Sequence, residues 1–287
     1  MTLAPLSPRL QFVVVTLVLV FVLAESLILH LLIISSIQQH AAQRTASESF
    51  RGELAEGTAP VGPTDRDGRE LRPGSPVAYL EIPSIGLEQV VVEGTTSSNL
   101  FAGPGHRRDT PLPGQPGVSV LLGRRAAFGG PFARIHRLRA GALIRVTTGQ
   151  GAFEYRVTGV RREGEPVPVP LAAGAGRLLL ATASGGPFRP TGVLRVDADL
   201  TVPSVPGPSR LVDSATLPAS EQMMAVDSRT LWALALWLQA LIVVLLGAIW
   251  AWHRWGRART WVVFLPLLLL VGLYAAGEAA RLLPNLL

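Results

Sequence analysis

VAYLEIPSIGLEQVVVEGT, residues 77–95, decides how this chain folds. Two short apolar runs, VAYLEI and QVVVEG, flank a Pro/Gly-bearing turn. Runs of this length and β-branched content, bounded by turn residues, read as paired strands. The same punctuation continues outward through VSVLLG (118–123), LIRVTT (143–148), FEYRVTGV (153–160), RLLLATA (177–183) and VLRVDADL (193–200). Many short strands with regular turns predict an all-β domain, a mostly antiparallel closed barrel with short helices, over residues 77–202.

Composition bounds what else the chain can be. Its 287 residues are 48% hydrophobic and only 16% charged, which leans toward a membrane. The formal charge of +6 comes from 26 basic and 20 acidic residues, with Arg far outnumbering Lys. No basic stripe or aromatic–basic interleaving accompanies it, so nucleic acid is not an expected partner. The chain has no cysteine, which excludes disulfides, thiolate metal sites and thiol catalysis together. The histidines lack ligand spacing, and Asp197 and Asp199 alternate as on a solvated strand face. Neither a metal nor a cofactor is expected.

Three apolar segments are each about one bilayer long: residues 12–37, 231–252 and 261–283. The first is too long for a signal peptide and lacks a small-x-small cleavage site, so it reads as an uncleaved anchor. The chain thus divides into an anchor (1–37), a polar stalk (38–76) compatible with helix over 38–54, the β domain (77–202), a Pro/Ser-rich linker (203–229) and a membrane hairpin (230–287). The loop HRWGRAR, residues 253–259, is basic and bordered by Trp250, Trp252, Trp255 and Trp261. Positive-inside bias puts this loop in the cytoplasm and the β domain outside, in a multi-pass cell-membrane protein. Glu25, about mid-span, calls for a protein contact rather than lipid. Glu278 and Arg281, three residues apart, are placed to pair on one helix face or to meet water at the interface.

The β domain resembles the sortases, membrane-anchored cysteine transpeptidases of Gram-positive cell surfaces. The resemblance runs through residues 77–95, GPGHRRDTPLPGQPG (103–117), GRRAAFGGPFARIHRLRAGALIRV (123–146), LLLATASGG (178–186) and GVLRVDADL (192–200). It is strongest toward the actinobacterial, class E-like members, through GPGHxxxTxLPGxxG and GGPF. It implies a sortase-like barrel in which a Cys thiolate forms an acyl-enzyme, a His moves protons and an Arg steadies the oxyanion. At the His position this chain has Arg124, and at the Cys position Ala183. The Arg position falls on Gly192 or Val193, with Arg189 and Arg195 close by as shifted substitutes.

A methyl group has no lone pair, so Ala183 cannot attack a carbonyl, and a guanidinium is not a proton shuttle. Arg124, Arg125 and Arg189 could instead form a cationic pocket for a carboxylate or phosphate. Arg124 pointing into solvent is the equally open alternative. Thr182 is a candidate cleft hydroxyl for a peptide backbone. Ser184 follows the vacant position, but strand neighbours face opposite ways, so it should miss the cleft unless the strand ends first. Its only candidate bases in the β domain are His106, in a GPGH turn, and His136, in a helical turn. The expectation is therefore a degenerate, sortase-like protein that binds a peptide, a surface-protein tail or another membrane protein. The alternative is a transpeptidase or hydrolase with a non-Cys nucleophile such as Ser184.

Overall fold

The computed structural model describes residues 8–65, 67–186, 188–208, 213, 215, 217–226 and 231–287. Parts of the predicted segments 1–37, 203–229 and 230–287 lie outside these residues. The chain forms two compact units, Met1–Ile34 with Ser228–Leu282, and Ser35–Asp227 with Leu283–Leu287.

The second unit is a closed eight-stranded barrel. Its strands are β1 (Pro76–Ile82), β2 (Leu87–Glu93), β3 (Gly105–His106), β4 (Gly117–Leu122), β5 (Leu143–Thr148), β6 (Gly151–Arg162), β7 (Gly176–Gly186) and β8 (Arg189–Leu200). The order around the barrel is β1-β2-β3-β4-β7-β8-β6-β5, and β5 pairs with β1 to close it. Only β2–β3 and β4–β7 are parallel, so the mostly antiparallel expectation holds. The strand missing from the sequence reading is β3, whose two residues are too few to carry a period. His106 accordingly sits in a strand rather than a turn. The helical turn expected around His136 is present as a 3-10 turn, Ile135–Arg137, whose Ile135 is fully buried in the core.

Alternation along β7 positions the site. Leu178 and Leu180 point into the main core with Leu194 and Val196. Leu179, Ala181 and Ala183 belong to a second apolar cluster on the opposite, outer face, with Val120 and Leu122 of β4 and Val193 of β8. Strand side chains alternate between faces, so one strand serves both clusters.

The segment 38–76 is not a free stalk. Helix α2 (Ser35–Ala55) lies against the barrel, with Phe50 buried beside Val90. The Gln43 amide donates to the Val90 carbonyl at 3.0 Å and accepts from the Val90 N–H at 2.8 Å. β3 meets β2 only at Val92 and Glu93, so Val90 has no strand neighbour on that side. The glutamine side chain stands in for the missing backbone and covers an open edge. Asp197 does not lie on a solvated face, whereas the side chain of Asp199 is 41% exposed. Asp197 is buried and accepts from Arg161 at 2.6 Å, and Asp199 pairs with Arg177.

The first unit holds α1 (Pro8–Leu29), a π-helical turn (His30–Ile34), α3 (Leu231–Trp255) and α4 (Arg257–Arg281). Three helical stretches, Val20–Ala55, Leu231–Trp255 and Ala258–Arg281, are long and apolar enough to cross a membrane. α1 and α4 approach closely through small residues. A Cβ on Gly272 would stand 2.4 Å from Ser26 Oγ, and Ala275, Ala276 and Ala280 are buried. Small residues let helix backbones pack where lipid offers no hydrophobic drive. Glu278 and Arg281 do pair, at 3.3 Å. Glu25 is exposed on α1, so the contact expected for it is not made within this unit.

Candidate functional site

Among the described residues Arg124 is the largest fully buried side chain, at 0% exposure, so the solvent-facing reading is wrong. It follows Gly123, where an added Cβ would lie 2.5 Å from the Phe132 ring; only glycine lets the chain turn there. The Arg124 guanidinium donates to Ser97 Oγ at 2.6 Å, to the Ser97 carbonyl at 3.1 Å and to the Leu287 carbonyl at 3.3 Å. Its carbon centre lies 4.9 Å from the Phe101 ring and 5.0 Å from the Phe128 ring. Those rings stack at 4.0 Å. Among the described residues no Asp or Glu side chain pairs with it. Burial pulls its pKa down to about 9, still high enough to keep it cationic at neutral pH. Cation–π contact with the two rings and hydrogen bonds to the Ser97 and Leu287 oxygens hold the charge.

Ala183 is fully buried on the outer face of β7, directly opposite Val193. Arg125 donates to the Ala183 carbonyl at 3.0 Å, which ties the 123–132 loop to this point of β7. The position to which the resemblance assigns an Arg falls on Gly192 or Val193, neither of which carries a charge. Of the nearby arginines, Arg189 is exposed and pairs in register with Gly186, away from Ala183. Arg195 lies opposite Ala181 and so shares the face of Ala183. The cationic pocket thus reduces to Arg124 and Arg125, and Arg189 is not part of it.

Thr182 does not line the groove. It pairs with Leu194, points to the inner face, and its buried hydroxyl has no partner. Ser184 also faces away from Ala183, as alternation requires, and its hydroxyl is 3.2 Å from that of Thr191. Neither candidate base reaches it. His106 is buried between Glu93, at 2.9 Å, and the Pro111 carbonyl, at 3.1 Å. His136 is exposed and bonded to the Ala133 carbonyl. Burial opposes the charge of His106, but the Glu93 charge and hydrogen bond outweigh it, and its pKa is raised.

Two segments far away in sequence complete the site. Residues 217–226 are clamped by Glu221, which is buried and takes two hydrogen bonds from Arg108, at 2.7 and 3.1 Å. Thr95 Oγ1 donates to the Glu221 carbonyl at 2.6 Å. Residues 283–287 form a turn, closed by the Leu287 N–H on the Pro284 carbonyl at 3.0 Å. Leu286 and Leu287 are buried in the outer cluster with Ala183, and Met223 and Met224 pack against it. The sequence reading had assigned 283–287 to the membrane hairpin. Its available signal was the Pro-Asn pair, a turn marker just past an apolar span.

Fold and site together define a closed-barrel protein whose outer β7 face is covered by residues 223–224 and 286–287. Residues 80–184 match the sortase domain model. Sortase D of Bacillus subtilis is 36% identical over 84 residues, 29% of this chain and 41% of that protein's length, so the chain spans less than half of this relative. Two solved structures are similar: Clostridium perfringens Sortase D5 transpeptidase, 21% identical with a TM-score of 0.47, and sortase E from Streptomyces avermitilis, 28% identical with a TM-score of 0.40. They correspond to 56% and 53% of this chain and to 99% and 100% of theirs. The likeness to sortases thus lies in the barrel, over residues 80–184.

Proposed function

We propose that this protein is held in the cell membrane by its apolar helices and uses its sortase barrel to bind a peptide or surface-protein tail, without the acyl transfer of active sortases. One observation carries the reading. Arg124 and Ala183 stand where the resemblance assigns the proton shuttle and the nucleophile, Gly192 or Val193 stands where it assigns the oxyanion arginine, and apolar side chains cover Ala183. A groove can bind without a nucleophile, because its strands and loops shape it. The Ser184 alternative has the opposite geometry, with the hydroxyl turned away from Ala183 and no histidine in reach.

A fluorophosphonate probe on the full chain in detergent tests this reading. No labelling is expected; labelling that disappears in Ser184→Ala would replace binding by hydrolysis or transfer. The double substitution Arg124→His with Ala183→Cys asks the converse. Thiol-dependent cleavage of a peptide should stay absent, because Val193 supplies no oxyanion donor.

For topology, the basic stretch 253–259, expected as a loop but helical on both sides of Gly256, and its tryptophans support a barrel outside the cytoplasmic membrane and that stretch inside. The cysteine-free chain makes the test clean. A membrane-impermeant maleimide on intact cells should label Val167→Cys, at an exposed position between β6 and β7, and spare His253→Cys. The reverse pattern inverts the topology.

A further inference from the structure

We propose that the outer face of β7 is a peptide-recognition groove whose ligand in the resting protein is the chain's own segment Leu283–Leu287. The class of ligand it selects is a proline-led turn that offers backbone carbonyls, an asparagine amide and two buried leucines. This deepens the binding reading above and rests on it.

Hydrogen bonding gives the first argument. The Asn285 amide group donates to the Thr95 carbonyl at 2.9 Å and to the Gln222 carbonyl at 2.8 Å. The Asn285 N–H meets the Ala225 carbonyl at 2.9 Å, and the Leu286 carbonyl accepts from the Arg125 N–H at 3.0 Å. These bonds come from both walls, the 95–97 and 124–125 loops and the 217–226 segment. They read one turn through its backbone and one side chain, as peptide-binding sites do. With the turn gone, these wall groups and the Arg124 cation would lose partners, and a buried group without one costs about 1–3 kcal/mol. The groove is therefore built for an occupant with this pattern.

Backbone strain gives the second. The only non-glycine residues with positive φ among those described are Phe128, at +52°, and Met224, at +63°. A bulky residue in this region costs about 1–3 kcal/mol and persists where the surroundings enforce it. Both sit at this groove. Phe128 holds its ring under Arg124, which reaches the Leu287 carbonyl, and Met224 packs on the leucine cluster. Strain in both walls, focused on one short segment, is the mark of a binding site rather than of ordinary core.

An integral core residue and a bound ligand differ in one measurable respect: a ligand can be exchanged. Ala183→Cys places a single thiol beneath Leu286 and Leu287 in an otherwise cysteine-free chain. In the full chain in nanodiscs, a maleimide should modify it far more slowly than it modifies Val167→Cys. Asn285→Ala, added to Ala183→Cys, removes two side-chain hydrogen bonds and should raise the rate about tenfold. A synthetic Leu-Pro-Asn-Leu-Leu peptide, capped at both ends, should then slow it again in a saturable way, whereas a peptide with Ala for Asn should not. Equal rates with and without Asn285→Ala would overturn the proposal. So would a raised rate that peptide cannot reverse, since the segment would then be a fixed part of the wall. Circular dichroism verifies that each variant is folded; if Asn285→Ala is not, Leu286→Ala is read in the same way. Serine-probe labelling of Ser184 would sink the binding reading without altering these rates, so the two fail separately.

Discussion

The two faces of β7 are equally buried and differently built. On the inner face, Leu178 and Leu180 meet residues from most of the barrel strands. On the outer face, Leu179, Ala181 and Ala183 are covered largely by a loop residue, Leu100, and by residues 223–224 and 286–287 from two distant segments. The inner face is sealed by the barrel's own closure. The outer face is sealed by elements that could depart while every strand pair remains intact. Burial alone therefore does not distinguish core from filled groove; what covers each face does.

Truncation should separate the faces by size of effect. Leu180→Ala leaves a cavity in a closed barrel and should cost about 2–5 kcal/mol of global stability, measured by chemical denaturation followed by circular dichroism. A cost below about 1 kcal/mol would mean the inner core is looser than its closure implies. Leu286→Ala removes the same atoms but should cost less, about 1–2 kcal/mol, because the turn can leave before the barrel unfolds and local opening caps the loss. Equal costs would erase the distinction between the faces.

Smaller effects sharpen it. The raised pKa of His106 means that its charged form stabilises the fold. That contribution is complete below the ordinary value of 6.5 and is lost as pH rises through the higher folded value. Melting temperature should therefore decline over that range, and His106→Gln should flatten the decline; a slope of opposite sign would contradict the Glu93 pairing. Smallest of all, Ser184→Ala removes one hydroxyl contact to Thr191 and should shift stability by no more than about 1 kcal/mol.

The pattern of what could be read in advance follows from range. Seven of the eight strands were visible because each carries its own alternation and turn residues. β3 was not, since two residues have no period, and the Gln43 contact that stands beside it depends on an unpaired edge created elsewhere. At the site, Arg124, Ala183 and the turn of Ser184 away from Ala183 follow from block order and strand parity. The burial of Arg124 does not, because its acceptors, Ser97 and Leu287, lie 27 and 163 residues away. Thr182 was misplaced for want of the same parity argument that handled Ser184. Asp197 reads as solvated in the sequence because its partner, Arg161, sits on another strand.

Native-state hydrogen exchange at the Arg125 amide tests the central claim most directly, because that N–H is bonded to the Leu286 carbonyl and reports on the outer cover alone. The account predicts protection that is real but well below that of the Leu180 and Val196 amides, and that rises when capped Leu-Pro-Asn-Leu-Leu peptide is added to Asn285→Ala protein. Protection equal to the inner strands, unchanged by the substitution or the peptide, would show that the outer face of β7 is core and not a groove.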